Sequence, residues 1–200
     1  DFWKYSPASN TCSKIAPFPG TPRSKAVGVS VADTGYVLFG RYNASMPSDF
    51  WKYNSVTDSW SLNMNYPGPT AIDATGFVIG TKIYIYLPGV NPNFYVYDPS
   101  NVNWIPKPST GFTNASASSF TIGTDGYVVA GMSGSNYTRD VWKYNSVADT
   151  WQQVGSYAAA GYETARTVAF SLGNKGYVGL GDSLNGYFTA QNFWKFSRSA

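Results

Sequence analysis

Histidine is absent from these 200 residues, and cysteine occurs once. Without histidine there is no Ser-His-Asp or Cys-His nucleophile system and no His-based zinc site. A lone cysteine, Cys12, excludes an intrachain disulfide. Charge is scarce as well. Charged residues make up 12% of the chain, against a usual ~25%. The balance of 14 basic and 11 acidic residues leaves a net charge of +3 without any run of Lys or Arg. That pattern gives no basic groove for nucleic acid, so no nucleic-acid partner is expected. No apolar run approaches the ~20 residues of a helical membrane span, so no membrane span is expected either. Nor is there a secretory hydrophobic segment at Asp1. A phosphate-cradling Walker loop, a dinucleotide fingerprint and a Gly-x-Ser-x-Gly elbow are all missing.

Aromatic residues, by contrast, are plentiful: 18% of the chain, with 7 Trp, 16 Tyr and 12 Phe. They recur in order. Asp1-Phe-Trp-Lys-Tyr5, Asp49-Phe-Trp-Lys-Tyr53, Asn93-Phe-Tyr-Val-Tyr97, Asp140-Val-Trp-Lys-Tyr144 and Asn192-Phe-Trp-Lys-Phe196 return about every 48 residues. Seven residues beyond the last aromatic of the first four copies stand Cys12, Trp60, Trp104 and Trp151. All seven tryptophans therefore fall on two repeat positions. Cys12 fills a tryptophan slot and is expected to be a buried packing residue. Lys4, Lys52, Lys143 and Lys195 share one position and read as framework. A Gly-Tyr-Val segment also recurs, at Gly35, Gly126 and Gly176, with Lys82–Leu87 as the divergent copy. Just before it comes a small-residue alternating stretch: Ala26–Val31, Ala74–Ile79, Ala117–Ile122 and Thr167–Leu172.

Each unit thus holds four short runs rich in Val, Tyr, Phe, Trp and Thr, separated by Gly, Asn, Asp, Ser and Pro. That pattern predicts four strands per unit and no helix. Four strands in a repeat of ~48 residues predict the blade of an all-β propeller. One domain spans 1–200, in units of about 1–48, 49–92, 93–139 and 140–191 with a closing strand at 192–197. The prediction is four four-stranded blades plus one surplus strand. Asp1–Tyr5 and Asn192–Phe196 compete for one place. Three arrangements are open: a segment of a larger propeller, a compact four-bladed ring, or completion between molecules by strand addition.

At these residues the chain resembles kelch-repeat β-propellers, and its wording is similar to kelch arrays of secreted bacterial proteins, Bacteroidetes-like in character. The resemblance covers essentially the whole chain and implies a kelch-type fold outside the cell or at its surface. Fold does not fix function. The chain departs from the pattern at Cys12, at Lys82–Leu87 and at Phe94–Tyr97, and blades carrying those departures are expected to pack less regularly. Copper-oxidase propellers of similar architecture use Tyr and His ligands and a Tyr–Cys crosslink. A chain without His cannot carry that site, and no cofactor or metal is expected.

Other motifs have bland explanations. Asp33-Thr34-Gly35 matches the aspartic-protease triplet but sits at the turn between the first two strands of its unit. Asp182–Gly186 has too few oxygen ligands at the right spacing for calcium and reads as a turn. Asp73 and Glu163 are the one candidate carboxylate pair for a glycosidase. Asn43, Asn114 and Asn136 head glycosylation sequons.

Two groups remain as candidate sites. Strand one of a kelch-like blade lines the central channel, and alignment puts Lys25, Asp73, Ser116 and Arg166 at one level there. They are expected to pair with one another and water, or to hold a small anion. The loops between strands two and three vary most. They carry Arg41, Tyr42, Asn43, Asn136, Tyr137, Arg139, Asn185, Tyr187 and Phe188, a set suited to a protein contact or to sugar stacking. The expected function is a non-catalytic interaction or structural module, binding a protein partner or copies of itself. A glycan-binding lectin is the alternative, and a catalytic propeller acting on sugars is the remote one.

Overall fold

The structure, a computed structural model, describes residues 1–91, 93–156, 164–183, 188–189 and 193–197. Among them every regular element is a strand. A hairpin of β1 (Trp3–Ser6) and β2 (Thr11–Lys14) comes first. Blade I is β3 (Val27–Val31), β4 (Thr34–Leu38), β5 (Asp49–Asn54) and β6 (Ser59–Asn65). Blade II is β7 (Thr75–Ile79), β8 (Lys82–Tyr86), β9 (Phe94–Asp98) and β10 (Asn103–Pro106). Blade III is β11 (Ser118–Ile122), β12 (Asp125–Val129), β15 (Asp140–Asn145) and β16 (Thr150–Ser156). Its β12–β15 loop carries a two-stranded ribbon, β13 (Met132–Ser133) and β14 (Asn136–Tyr137). Blade IV is β17 (Val168–Leu172), β18 (Lys175–Gly179) and β21 (Phe193–Ser197), with the ribbon β19 (Asp182–Ser183) and β20 (Phe188–Thr189). Pairing within each blade is antiparallel and sequential. Among the described residues the four blades supply fifteen strands and the hairpin two, and these seventeen are the predicted count. The hairpin and blade IV form separate sheets.

Blades stack through three hydrophobic clusters, one per junction. Tyr36, Leu38 and Phe50 of blade I meet Ile83, Ile85, Tyr97 and Trp104 of blade II. Phe77, Tyr84 and Phe94 of blade II meet Val128, Tyr144 and Trp151 of blade III. Phe120, Tyr127 and Val141 of blade III meet Val178, Trp194 and Phe196 of blade IV. A strand sends alternate side chains to opposite faces. Each blade therefore shows one apolar face forward and another back, which is what the aromatic excess serves.

Two expectations fail. The divergent blade II packs as tightly as any: every residue of β9 is buried. It has a blade on each side, and position counts for more than consensus wording. Cys12 is exposed. Its slot lies on the backward face, which in blades II and III is covered by the preceding blade. Its hairpin has no such neighbour among the described residues.

The turns explain a further residue. Asn10, Asp58, Val102 and Asp149 occupy equivalent hairpin turns, all with φ between 47° and 55°. Asn and Asp tolerate this left-handed conformation, whereas a β-branched residue does not. In three copies the side chain also accepts a bond from the tyrosine five residues earlier (Tyr5, Tyr53, Tyr144). Val102 is strained and does neither. Replacing Val102 with Asn or Gly is expected to raise stability by about 1 kcal/mol, read as a higher urea midpoint at unchanged m.

Candidate functional site

Three backbone bridges build one end of the propeller. Ser24 pairs with Arg41, Ala115 with Met132, and Ala165 with Asp182. Each ties the segment entering strand one to the loop leaving strand two. The predicted channel level and the predicted loop face are therefore brought together around a single axial mouth.

Lys25, Asp73, Ser116 and Arg166 do share one level, and each takes the left-handed conformation, φ 53° to 59°. This backbone lets consecutive blades bond directly. Ser116 N–H donates to the Asp73 carbonyl at 3.3 Å, and Arg166 N–H to the Ser116 carbonyl at 2.9 Å. Lys25 Nζ lies 2.8 Å from Asp73 Oδ2. Ser116 Oγ donates to Asp73 Oδ1 at 2.8 Å. Arg166 is paired with Asp182. Each cation thus has its own carboxylate. The level rims a cavity of about 340 Å³, below which lies another of about 360 Å³ floored by small residues such as Ala26, Gly76 and Ala117. Within the level Lys25 and Ser116 pair with Asp73, whereas Arg166 pairs outside it, with Asp182. Asp182, read from sequence as a turn residue, is thus an ion-pair partner at the mouth.

The loop residues are less unified. Arg41, Tyr42 and Asn43 form a tight exposed loop closed by Tyr42–Ser45 backbone bonds. Asn136 and Tyr137 form β14, with Asn136 exposed and Tyr137 half-buried; Arg139 is exposed at the base of that ribbon. Asn185 and Tyr187 lie outside the described residues, as does Glu163. Phe188 is in β20, where only its backbone is described. Asp33 lies in the β3–β4 turn, as expected, with Thr34 and Gly35 in β4. Of the sequon residues, Asn43 and Asn136 are exposed. Asn114 is buried, its amide donating to the Ala130 carbonyl and the Thr138 hydroxyl at 2.9 and 3.0 Å. It serves as a joint between loops, not an attachment point.

Sequence reasoning missed two features. The ribbon β13–β14 turns on Gly134-Ser135, with Gly134 at φ 61°, a turn signal embedded in a stretch read as plain loop. The other is a clamp at the strand-three start. Arg23 grips Asp49 with two bonds of 2.6 and 2.8 Å, and Trp51 Nε1 donates to the same carboxylate at 2.6 Å. Arg23 is not a repeated residue, so periodicity hides it. Burial pushes the Asp49 carboxyl upward, but the Arg23 and Trp51 bonds outweigh it and hold it below its usual value. A depressed folded-state pKa gives stability that is complete above the unfolded value, about 3.9, and is lost as pH falls through the folded one. The stability difference between the protein and Asp49→Asn should thus be largest near neutral pH and shrink below about pH 4, as measured by urea unfolding across pH.

Residues 115–156 match the family model for the Kelch motif. No curated protein sequence matches the chain. Among solved structures, one described as "Structure of YjhT" superposes with a TM-score of 0.76 at 19% identity, covering 88% of this chain and 64% of that one. This chain therefore spans less than two thirds of that structure's length. The aromatic repeat, the blades it builds and the superposed structure agree on the fold: the protein is an all-β propeller, and its residues 115–156 match the Kelch motif.

Proposed function

We propose that the protein is a non-catalytic interaction and building module, acting outside the cell or at its surface, whose working surface is the forward face of blade IV. The observation that carries this reading is burial. Phe50, Phe94 and Val141 occupy one repeat position and are buried, yet Phe193 at that same position in blade IV is half exposed. Val168, Phe170 and Leu172 of β17 are exposed beside it. A row of large apolar side chains left in water on a rigid sheet marks a docking surface. The axial mouth supports the non-catalytic half of the reading, because its charges are spent on one another. The extracellular setting rests on the likeness of the repeat wording to secreted arrays.

Hydroxyl-radical footprinting tests it. On cells that carry the protein, Phe170 and Leu172, both exposed on β17, should be protected relative to the dilute purified chain. Equal labelling in both settings overturns the reading.

Tyr42, exposed on the loop face between Arg41 and Asn43, favours glycan binding as a second reading. A glycan array should then show hits that Tyr42→Ala abolishes, because a stacking aromatic supplies most of such a contact. An array without hits removes it.

A further inference from the structure

The blade junctions follow a rule that the chain leaves unfilled at two places. Strand register makes Val29, Phe77, Phe120 and Phe170 equivalent, each opposite the tyrosine of strand two. It likewise makes Gly35, Ile83, Gly126 and Gly176 equivalent. A Cβ on Gly126 would stand 2.0 Å from the Phe77 ring, and one on Gly176 would stand 2.1 Å from the Phe120 ring. The phenylalanine of one blade is therefore a knob, and the glycine of the next is its socket. Where the socket is filled, at Ile83, the knob has shrunk to Val29. Phe77 and Phe120 are each 4% exposed, whereas Phe170 is 45% exposed. Gly35 has no ring above it, only its own blade's Tyr53 at 3.7 Å.

A hydroxyl repeats the asymmetry. Thr121 Oγ1 donates back to the Val78 carbonyl at 2.9 Å, and Ser171 Oγ donates back to the Thr121 carbonyl at 2.5 Å. Ser30 is the equivalent residue of blade I. It is exposed, and no preceding blade offers it a carbonyl. The acceptor that the pattern calls for is the carbonyl of Ser171 itself. β17 does not pack against β3 as β3 packs on β7, β7 on β11 and β11 on β17. The two half-junctions thus do not meet among the described residues.

We propose that a second copy of this chain completes the junction head to tail, its Phe170 entering the Gly35 socket and its Ser171 carbonyl accepting from Ser30. The proposal rests on the docking face named above and identifies its partner. It continues the junction already made three times within the chain. A cavity of about 300 Å³ bounded by Phe2, Ser30, Gly35, Tyr53 and Trp60 marks where the incoming strands go. That cavity lies inside the β1–β2 hairpin, which already holds the outer half of a blade. Phe2 packs edge-on against Trp60 at 4.8 Å, as Phe50 and Phe94 meet Trp104 and Trp151. The incoming β17 and β18 supply the inner half. β1 then replaces the partner's β21 on β18, since the two carry nearly the same sequence. The pairs Gly176–Phe196 and Val178–Trp194 become Gly176–Tyr5 and Val178–Trp3. Trp3 and Tyr5, now 55% and 56% exposed, take the half-buried places of Trp194 and Phe196. A heterologous contact of this kind extends into a ring or filament.

The test uses one variant for each half of the junction. Gly35→Phe fills the socket and leaves the knob; Phe170→Asp removes the knob and leaves the socket. In the single copy Phe170 is exposed and Gly35 borders the open cavity, and circular dichroism with thermal melts checks the fold. Leu172→Lys is the substitute if Phe170→Asp unfolds. By sedimentation velocity into the high micromolar range, the wild-type chain should associate, and each variant alone should remain monomeric. Their equimolar mixture should form a two-copy complex that grows no further. A monomeric wild type overturns the proposal, as does either variant assembling like wild type or a mixture that stays monomeric. Footprint protection on cells with a monomeric wild type keeps the docking face and rejects the second copy. Self-association without protection on cells keeps the second copy in solution and rejects this face as the working surface on cells.

Discussion

Phe94→Ala should lower the free energy of unfolding by about 3–5 kcal/mol, the range for removing a buried phenylalanine ring. Phe94 is fully buried. Its ring centroid lies 4.8 Å from that of Tyr144 and 5.0 Å from that of Trp151, both on the next blade. On its own blade it lies 6.2 and 6.0 Å from Phe77 and Tyr84. All four neighbours are large rings on paired strands. They cannot close over the gap without breaking register, so the cavity persists and the cost stays high. Phe193 is the same repeat position in blade IV but half exposed. Phe193→Ala should therefore cost about 1 kcal/mol or less in the dilute monomer. Urea unfolding of the two variants measures the contrast. A similar loss for both would show that the repeat position, not the covering blade, sets the energy. Because blades contact only their neighbours, the Phe94 variant should also separate unfolding of the two flanking halves and broaden the transition.

The architecture was legible because each blade repeats the same physical solution. A strand needs alternation, a junction needs aromatics, and a two-residue turn needs a residue that accepts positive φ. Those demands wrote Asp49-Phe-Trp-Lys-Tyr53 and its copies, and with them the seventeen strands of the hairpin and the blades. Burial was less legible, because it depends on which neighbour is present. Cys12 and Trp60 occupy one repeat slot, yet only Trp60 has aromatic rings, Phe2 and Phe18, packed on it. The axial level of Lys25, Asp73, Ser116 and Arg166 could be read by alignment, since it is repeated. Its partner Asp182 could not, because Asp182 belongs to a loop whose copies differ. Arg23 and Asn114 were hidden for a different reason: they fill one repeat position and both donate to the carbonyl that follows strand two, Phe39 and Ala130, but with different residue types. Periodicity reports what blades share, and the residues that distinguish one blade from another emerge only from the geometry.

The knob-and-socket pairing yields the second large effect, and it is one that no single substitution can show. Gly126→Ile should destabilise by about 3 kcal/mol or more, since overpacking a filled core is the mechanism. Its Cβ alone would overlap the Phe77 ring, at 2.0 Å from Cε2 and 2.4 Å from Cζ. Phe77 cannot swing aside, being stacked on Tyr84 with an interplanar angle of 5°. Phe77→Val should cost about 2–3 kcal/mol by leaving the glycine socket empty. Combined, the two changes recreate the pairing of Val29 with Ile83, which blades I and II already use within one buried cluster. The double variant should therefore be more stable than Gly126→Ile alone and lie within about 1–2 kcal/mol of wild type, giving a coupling energy of several kcal/mol in a double-mutant cycle. Additive losses would mean that the two positions do not read each other's volume. Gly28, whose added Cβ would meet nothing within 4 Å, supplies the control, and Gly28→Ala should be nearly neutral. A strong coupling at Phe77 and Gly126 would establish volume matching as the code by which one blade accepts the next. That code leaves Phe170 as a knob that only a glycine socket can take, and Gly35 is the one such socket among the described residues that no ring fills.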